Sequence, residues 1–484
     1  MPNPSELIVR DDSGISYSLP PRLDCISTYV LLEQEHWFER EVSFIGRLLQ
    51  PGMTVIDIGA NVGVYALPSA RCVGPEGRVF AYEPAKENIG HLSRTILLNG
   101  ATNIVIRPLA LSDRPGMGRL SLGRSGETHR LADTSEIVGC HETVEVTTLD
   151  EELERNRWQR IDFIKLDAEG AEVSILAGAQ KLFCQFSPIV LFEINHASVI
   201  DSGLRSTFRR MGFELFRLLG DGSALVPFGD KDQVDHYELN LFAIRPPGIR
   251  ELADRGLLAQ KSSFLELSAD ERERCAAAYC GLPFSCALGV SESDLAACPF
   301  GDAMLWYAAY RFIDPIDQDR RLGFIEAAFA SLVSHCTSSN SPSALASLVR
   351  IALDLGHREI AVSALQHLLD TNPTELDEPF FPVASRFEQF SAVYPSQWFM
   401  YSLEETLETA SGYSSLFRRD EARLARLASH PFASAEMIRR LIQGRLFRGI
   451  QPSDEELSLH ASASQDLGQH ARWRASIGQL AGVN

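Results

Sequence analysis

The stretch VIDIGANVGVYA, residues 55–66, places an acidic residue and two glycines among apolar residues. An apolar run that ends in an acid, followed by small residues and an amphipathic segment, is typical of a strand, a tight turn and a helix. Gly59 and Gly63 permit a sharp turn and a close approach to a ligand, because glycine has no Cβ atom. The helix that follows offers unpaired N–H groups to a carboxylate or phosphate. This stretch therefore predicts a ligand-binding turn.

Strand-like and helical patterns alternate from this turn to residue 245. The predicted strands are 54–59, 78–84, 103–111, 161–167, 188–195, 213–219 and 238–245. They are nearly continuous apolar runs, and amphipathic helical patterns separate most of them, which favours a parallel sheet covered on both faces. The expected fold class is α/β, with a doubly wound, Rossmann-like sheet. Two further strand-like pieces lie in the long insertion between Leu111 and Ile161, and they predict that this insertion forms an excursion of the chain, with strands of its own, beside the site.

The glycine spacing of the turn discriminates between ligands. Ligands of open α/β sheets bind outside the carboxyl ends of the strands. A dinucleotide site needs G-x-G-x-x-G, whereas Gly59 is followed by Asn61 and Gly63, so an NAD-dependent dehydrogenase is a weaker hypothesis. Glu83 ends the second strand, where an acid accepts hydrogen bonds from ribose hydroxyls. The pattern fits an adenosine with a carboxylate and no phosphate; the alternative is a purely structural turn with Glu83 as a solvated strand end.

The segment from Val55 to Asn195 resembles the FkbM family of class I, S-adenosylmethionine-dependent methyltransferases. The likeness rests on PGMTVIDIGANVG, VFAYEP, PLALSD, IDFIKLDAEGAE and IVLFEIN, which occur in the family's order. It covers roughly residues 20–245, and the family is known for O-methylation, often of sugar or secondary-metabolite hydroxyls. The resemblance implies an S-adenosylmethionine-dependent O-methyltransferase whose acceptor is a hydroxyl-bearing small molecule or glycan. A catalytically silent scaffold that binds the cofactor is the alternative.

The resemblance also implies which residues bind the cofactor. Those expected around its methionine end are Asp57, Gly59, Ala60, Asn61 and Gly63. Glu83 is expected to hold the ribose, and Ala110 and Leu111 to flank the adenine. Pro68 departs from the pattern inside the first predicted helix and should kink that helix or limit its first segment.

Methyl transfer to an alcohol also requires a group that takes the hydroxyl proton. Asp167 and Glu193 end the fourth and fifth strands and are the first candidates. His196 is the third candidate, with a packing or capping role as its alternative. Glu169 suits an N-terminal helix cap as well as it suits catalysis. No metal ligands are predicted, although a pair of these carboxylates could instead hold a divalent cation that orients the acceptor.

Composition limits the remaining functions. The length of 484 residues favours two or three domains, and 45% hydrophobic with 23% charged residues is ordinary for a globular protein. A net charge of -19 without a basic cluster disfavours nucleic acid as a partner. The sequence shows neither a signal-peptide pattern nor about 18 consecutive apolar residues, so we expect a cytoplasmic protein without a membrane span. The nine cysteines are scattered without a CxxC pair.

The sequence changes character at Pro246-Pro247-Gly248, after which almost nothing alternates with period two. The predicted division is an amino-terminal segment on the catalytic domain (1–50), a methyltransferase domain (51–248) and an all-α, repeat-like domain (249–484). Residues 343–373 resemble a tetratricopeptide repeat at Leu345, Leu348, Gly356, Ala361, Leu365 and Pro373. An all-α cap on the catalytic domain is the alternative.

The repeat-like pattern suggests a role for the helical half. Stacked helix pairs expose a concave face, so we expect a docking surface for a protein partner that does not touch the cofactor. Domains joined through Pro-Pro-Gly need not be tightly coupled. Truncation after Arg250 should then spare cofactor binding.

Overall fold

The computed structural model describes residues 6–481 apart from 122, 124–129, 133–140, 197, 198, 201, 374, 375, 377, 391–394, 418, 419 and 465. The chain begins with the antiparallel hairpin of β1 (Leu7–Arg10) and β2 (Ser16–Leu19), followed by α1 (Ile26–Gln34) and α2 (Arg40–Leu48). Every residue of α1 after the first is buried, so this helix is covered on all sides. The apolar residues of α2 lie on one face, and Phe44, Ile45 and Leu48 of that face are buried.

The next elements alternate between strand and helix as the sequence predicts. They are β3 (Thr54–Ile58), α3 (Ala66–Val73), β4 (Arg78–Tyr82), α4 (Lys86–Asn99) and β5 (Ile104–Arg107). Pro68 occupies the third position of α3. The first N–H groups of a helix have no partner within the helix, so a proline there removes no hydrogen bond. Of the two effects expected of Pro68, the structure shows the limited first segment, because α3 begins only at Ala66.

The insertion after β5 forms a second, four-stranded sheet. Its strands are β6 (Ala110–Leu111), β7 (Gly116–Ser121), β8 (Arg130–Ala132) and β9 (His141–Thr147), in the order β6-β9-β7-β8, and α5 (Leu149–Asn156) follows. The predicted strand 103–111 is therefore two strands in two different sheets. The excursion predicted beside the site is confirmed.

The remaining strands complete the central sheet. In chain order the elements are β10 (Phe163–Leu166), α6 (Glu172–Ala177), α7 (Gln180–Gln185), β11 (Ile189–Glu193), β12 (Asn195–His196), β13 (Val199–Ile200), α8 (Ser202–Arg210), β14 (Glu214–Leu218), β15 (Leu225–Pro227) and β16 (Asn240–Ile244). The short strands β12 and β13 pair with each other outside this sheet. Each predicted strand between residues 161 and 245 thus has its counterpart.

The central sheet has eight strands in the order β15-β14-β16-β11-β10-β3-β4-β5. Strands β5, β4, β3, β10 and β11 are parallel, which confirms the doubly wound fold. The sheet is mixed and not parallel throughout, because β16 inserts antiparallel between β11 and β14, and β15 is antiparallel to β14. After β3 the chain adds β4 and β5 on one side of that strand, and it then adds β10 on the other side. A cleft therefore opens at the carboxyl ends of β3 and β10.

The rest of the chain, residues 246–481, is called the helical region here. Its helices are α9 (Pro246–Asp254), α10 (Ala269–Cys280), α11 (Pro283–Leu288), α12 (Glu292–Ala297), α13 (Gly301–Phe312), α14 (Gln318–Ser338), α15 (Pro342–Leu355), α16 (Arg358–Thr371), α17 (Pro395–Ala410), α18 (Glu421–Ala428), α19 (Ala435–Leu446), α20 (Asp454–Ala463) and α21 (Leu467–Ala481), with a 3₁₀ turn at Ser385–Gln389. Pro246 and Pro247 form the first turn of α9, where proline is favoured, so this stretch is a helix start and not a linker.

Helices α13 to α17 pack successively on one another. The predicted helix pair at 343–373 corresponds to α15 and α16, joined by Gly356 in the left-handed conformation (φ 97°). Its likeness to a tetratricopeptide repeat stays a prediction. None of the described helices combines the length and the hydropathy that crossing a membrane requires.

The last helices return to the amino-terminal segment. Helix α19 packs on α1, and α21 packs on β1. The indole of Trp473 donates a hydrogen bond to the carbonyl of Leu32 at 3.0 Å, and Arg439 Nε donates to the carbonyl of Glu33 at 2.6 Å. Leu31, Leu441 and residues of the central sheet share one hydrophobic core. The helical region is therefore tightly packed on the first half, contrary to the loose coupling expected from the sequence.

Candidate active site

A cavity of about 670 Å³ opens at the carboxyl ends of the central strands. The parts of the chain that line it are the ends of the sheet strands with the turns that follow them, the second sheet, the start of α1, the segment before α2, the loop before β16, and residues 411–413 with Phe417 after α17. The volume lies within the range of small-molecule and cofactor sites. The site thus stands at the switch point of the sheet, where the fold places ligands.

The backbone of the turn after β3 shows why glycine is required there. Gly59 has φ 78° and Gly63 has φ 99°. A Cβ atom on Gly59 would lie 2.0 Å from the carbonyl oxygen of Asp167, and one on Gly63 would meet the side chains of Leu67 and Leu92. The two glycines therefore allow close packing of the protein on itself. Gly59 also lines the cavity, where the expected approach of a ligand is possible.

Glu83 presents a buried carboxylate to the cavity, with 4% of the residue exposed. Its Oε2 accepts from the N–H of Asn61 at 2.9 Å, and its Oε1 accepts from the N–H of Ala85 at 2.8 Å. Burial raises the pKa of Glu83 to about 7, against the lowering effect of these N–H groups. A carboxylate has about four acceptor sites, so Glu83 keeps capacity for further hydroxyl donors. The Glu83 carboxylate therefore has the properties needed to accept hydrogen bonds from the hydroxyl groups of a ribose.

The wall beside Glu83 is apolar. Tyr82, Leu109, Ala110 and Leu111 line it, and the last two form β6 of the second sheet. A flat apolar wall next to a ribose acceptor fits an adenine ring. The predicted excursion of the chain thus supplies part of the cavity.

The predicted cofactor residues divide into two groups. Those that line the cavity are Gly59, Asn61, Glu83, Ala110 and Leu111. The cavity lining does not include Asp57, Ala60 or Gly63, and all three belong to β3 or its turn. Asp57 is 1% exposed, and burial raises the pKa of its carboxyl group to about 6. A cofactor-binding role for these three residues stays a prediction.

Lys165 is a buried cation that lines the cavity, and the sequence interpretation missed it. Its Nζ lies 2.5 Å from Oδ2 of Asp167 and 5.1 Å from the centre of the Tyr65 ring. Burial alone would lower the pKa of Lys165, but the neighbouring carboxylates, foremost that of Asp167, raise this pKa well above its ordinary value. Lys165 therefore carries a positive charge in the cavity. A lysine inside the apolar strand IDFIKLD was the available signal.

Glu39 also faces the cavity, although it precedes the recognised motifs. Its Oε2 accepts hydrogen bonds from the hydroxyl of Tyr65 and, at 3.2 Å, from Nδ2 of Asn240. Burial raises the pKa of Glu39, and the charge of Lys165 opposes this effect. The local sequence around Glu39 carries no signal for this role, since its partners come from three other elements.

Two of the three predicted proton acceptors, Asp167 and Glu193, line the cavity. His196 belongs to β12, but its side chain lies outside the described residues. Glu169 lines the cavity with a left-handed backbone (φ 51°). The capping role considered for Glu169 stays a prediction; the neighbouring Glu172 accepts at its Oε1 from the N–H groups of Ala168 at 2.8 Å and Gly170 at 3.2 Å, which precede α6. Within the described residues, no group of three or more His, Cys, Asp or Glu side chains is arranged for a metal ion.

Glu41 and Glu238 line a small neighbouring cavity between the sheet and the helical region. Burial, reinforced by the charges of Glu39 and Glu238, raises the pKa of Glu41 to about 8. A carboxyl group whose pKa is raised by folding favours the folded state at low pH, and this contribution is lost as the pH rises through the folded pKa.

We therefore expect Glu41→Gln to flatten the pH dependence of the free energy of unfolding. Wild-type stability should fall relative to that of the variant as the pH rises from about 5 to about 9, and the difference should reach several kcal/mol. Denaturant titrations across this range measure the effect. Glu87→Gln, at a side chain that is 48% exposed, is the control and should leave the curve unchanged. Parallel curves for wild type and Glu41→Gln would contradict the prediction.

Comparison with known proteins identifies the family that this part of the chain is similar to. Residues 57–215 match the family model described as "Methyltransferase FkbM domain". Methyltransferase sdnD of Sordaria araneosa is 25% identical over 193 residues, which covers 34% of this chain and 74% of that protein.

Two examples of solved structures that this chain is similar to are both methyltransferases. A SAM-dependent O-methyltransferase from Thermotoga maritima has 18% identity and a TM-score of 0.27, covering 49% of this chain and 77% of its own. A SAM dependent methyltransferase from Aquifex aeolicus has 15% identity and a TM-score of 0.27, covering 46% of this chain and 94% of its own.

The fold, the cavity and the family match together define the class: this is a methyltransferase, and S-adenosylmethionine is its cofactor. Within that class, residues 57–215 are similar to the FkbM methyltransferase domain. The family match does not extend into the helical region.

Proposed function

We propose that the protein transfers a methyl group from S-adenosylmethionine to a hydroxyl group of a small molecule, such as a sugar, a glycan or a secondary metabolite. One observation carries the proposal. A single cavity joins the expected cofactor residues, represented by Glu83, to two carboxylates at neighbouring strand ends, Asp167 and Glu193. A nucleotide-binding turn beside candidate bases is what methyl transfer to an alcohol requires.

The residues of the first half fit the cofactor. Glu83 would accept hydrogen bonds from the ribose, Ala110 and Leu111 would contact the adenine, and the turn at Gly59 and Asn61 would hold the methionine end. When bound, the cofactor supplies an electrophilic methyl group. The chain's own task is to align the acceptor with that group, since positioning accounts for much of the acceleration in such displacements.

The acceptor hydroxyl must lose a proton as its oxygen becomes methylated. Asp167 and Glu193 extend into the cavity from neighbouring strands, β10 and β11, and are the proposed proton acceptors. Lys165 pairs with the carboxylate of Asp167 at this end of the site. The Asp167 carboxylate would orient the acceptor hydroxyl. His196 stays a third candidate.

The function is tested with a protein-free cell extract. The protein and S-adenosylmethionine are added to the extract, and mass spectrometry searches for small molecules that gain one CH₂ unit. Products should appear with wild type and be absent with Asp167→Asn combined with Glu193→Gln. Tight binding of S-adenosylhomocysteine without any methylated product would favour the alternative, a catalytically silent scaffold.

Glu83→Ala should weaken the binding of S-adenosylhomocysteine by about 1.5–3 kcal/mol, because charged hydrogen-bond acceptors contribute this much. Calorimetry measures the affinity. Protonation of Glu83 removes the same acceptor, and its pKa is about 7, so wild-type affinity should also weaken as the pH falls below that value. The affinity of Glu83→Ala should lack this pH dependence. Glu87→Ala on the exposed side of α4 is the control; equal affinities of Glu83→Ala and wild type would remove Glu83 from the site.

A further inference from the structure

The half of the cavity beyond β10 is bounded by aromatic rings from three distant segments. This aromatic wall consists of Trp37, Phe38, Tyr237, Tyr413 and Phe417. The rings of Phe38 and Tyr413 have their centroids 5.3 Å apart, so the segment before α2 and the helical region meet in the wall. In the sheet, β11, β10 and β3 lie between β16, which follows Tyr237, and β4, which precedes Glu83. The wall therefore faces the space left for the acceptor.

The part of the wall that belongs to the helical region is firmly held. Arg358 donates to the carbonyl oxygens of Thr409 and Gly412, each at 2.9 Å. Its guanidinium group also lies over the rings of Tyr237 and Tyr413, at 4.7 and 4.8 Å from their centroids. The hydroxyl of Tyr413 donates to the carbonyl oxygen of Tyr237. Residues 411–413 are thus fixed to the loop before β16.

Buried contacts with α1 hold the same segment from the other side. The N–H of Ser415 donates to Oε1 of Glu33 at 3.1 Å, and Gln34 donates to the carbonyl oxygen of Tyr413. Glu33 is fully buried and lies 3.6 Å from Arg440 of α19. Contacts of this kind are those of a permanent wall and not of a surface awaiting a protein partner.

Acidic side chains outnumber basic ones in the lining of the cavity. Its lining contains five carboxylates against one lysine, Lys165; the acidic residues are Glu39, Glu83, Asp167, Glu169 and Glu193. A cleft lined by one sign of charge attracts the opposite sign and repels its own. An acceptor that carries a phosphate, sulfate or carboxylate group would therefore be disfavoured.

We propose that the helical region completes the acceptor half of the active site, and that the acceptor is an uncharged or cationic molecule with a flat apolar body. This inference rests on the proposed function. Aromatic rings favour flat partners that stack on them, and they also attract cations. Tyr413 and Phe417 are the specificity-determining residues that the helical region contributes. The helical region then belongs to the enzyme's active site, in contrast to the docking role expected from the sequence.

The test uses stable cofactor analogues, since the acceptor itself is unknown. In these analogues nitrogen replaces the sulfur and carries a benzyl, a 4-carboxybenzyl or a 4-(aminomethyl)benzyl group where the cofactor carries its methyl group. The added ring projects from the cofactor into the acceptor space. Calorimetry on the full-length protein gives the affinity of each analogue and of S-adenosylhomocysteine.

The benzyl and aminomethylbenzyl analogues should bind at least about tenfold more tightly than the carboxybenzyl analogue. Tyr413→Ala and Phe417→Ala should each weaken binding of the benzyl analogue about fivefold and leave S-adenosylhomocysteine unaffected. Phe417 lines the cavity and is 55% exposed, so its removal does not endanger folding. Phe264→Ala, at a 40% exposed aromatic residue of the helical region outside the cavity, is the matched control and should change neither affinity.

Two results overturn the inference while leaving the proposed function intact. One is equal or tighter binding of the carboxybenzyl analogue; the other is unchanged benzyl-analogue affinity in the Phe417→Ala protein. If S-adenosylhomocysteine itself does not bind to wild type, the proposed function fails, and the inference fails with it.

Discussion

Asp167→Asn should lower the turnover number by about 10²–10⁴-fold, the usual contribution of a general base, while cofactor affinity changes little. Asn cannot take a proton from the acceptor hydroxyl. The substitution also removes the closest counter-charge of Lys165, whose Nζ lies 2.5 Å from the carboxylate. Glu83 and the adenine wall lie on the other side of β3 and keep their contacts. Single-turnover kinetics on the acceptor found in the extract screen measure the loss.

Glu193→Gln provides the comparison, because this residue ends the neighbouring parallel strand and also lines the cavity. A large loss in one variant alone identifies the proton acceptor. If both single variants turn over normally, neither carboxylate is the base, and His196 or simple positioning of the acceptor must account for the reaction. A weakened affinity for S-adenosylhomocysteine in Asp167→Asn would show that its effect is structural.

Ending the chain at Gly256, after α9, should abolish the folded state. The core that contains residues of the central sheet also contains Leu441, Ile442, Trp473 and Ile477 of the last helices. Fully burying one such side chain contributes about 1.5–3 kcal/mol, so the loss of these four is comparable to the usual stability of a domain. This expectation reverses the one drawn from the sequence for a cut after Arg250. Size-exclusion chromatography and thermal melting of the fragment measure the outcome.

Co-expression of residues 257–484 with the fragment is the control. The two pieces have complementary buried surfaces, so together they should restore solubility and the binding of S-adenosylhomocysteine. A fragment that is monodisperse alone, melts cooperatively and binds S-adenosylhomocysteine with wild-type affinity would show that the helical region is dispensable for the cofactor site.

Several parts of the fold and site could be predicted because they depend on neighbours in the chain. Apolar runs define β3, β4, β10 and β11, and the parallel pairing of these strands brings their ends to one edge of the sheet. Glu83, Asp167 and Glu193 end such strands, and all three line the cavity. The antiparallel insertion of β16 could not be predicted in this way, since strand direction depends on the path of the loop that precedes it.

Lys165 lies between these two cases. Its position within an apolar strand is visible in the sequence, but its charge state depends on three carboxylates that come together only in the folded protein. Strand periodicity places a side chain on one face of the sheet. It does not reveal which groups from other elements approach that face.

The amino-acid sequence alone is sufficient to predict the class of sheet and the turn after β3, because hydrophobic periodicity and turn chemistry act over a few residues; the cofactor was implied by the family resemblance of the same stretch. Only the tertiary structure decides that Glu39 and Tyr413 face the same cavity. Gln34 and Tyr413, which hydrogen-bond beside it, are 379 residues apart in the chain. Contacts over that distance arise from the packing of α1 against α19 and of α21 against β1, which leaves no pattern in either local sequence.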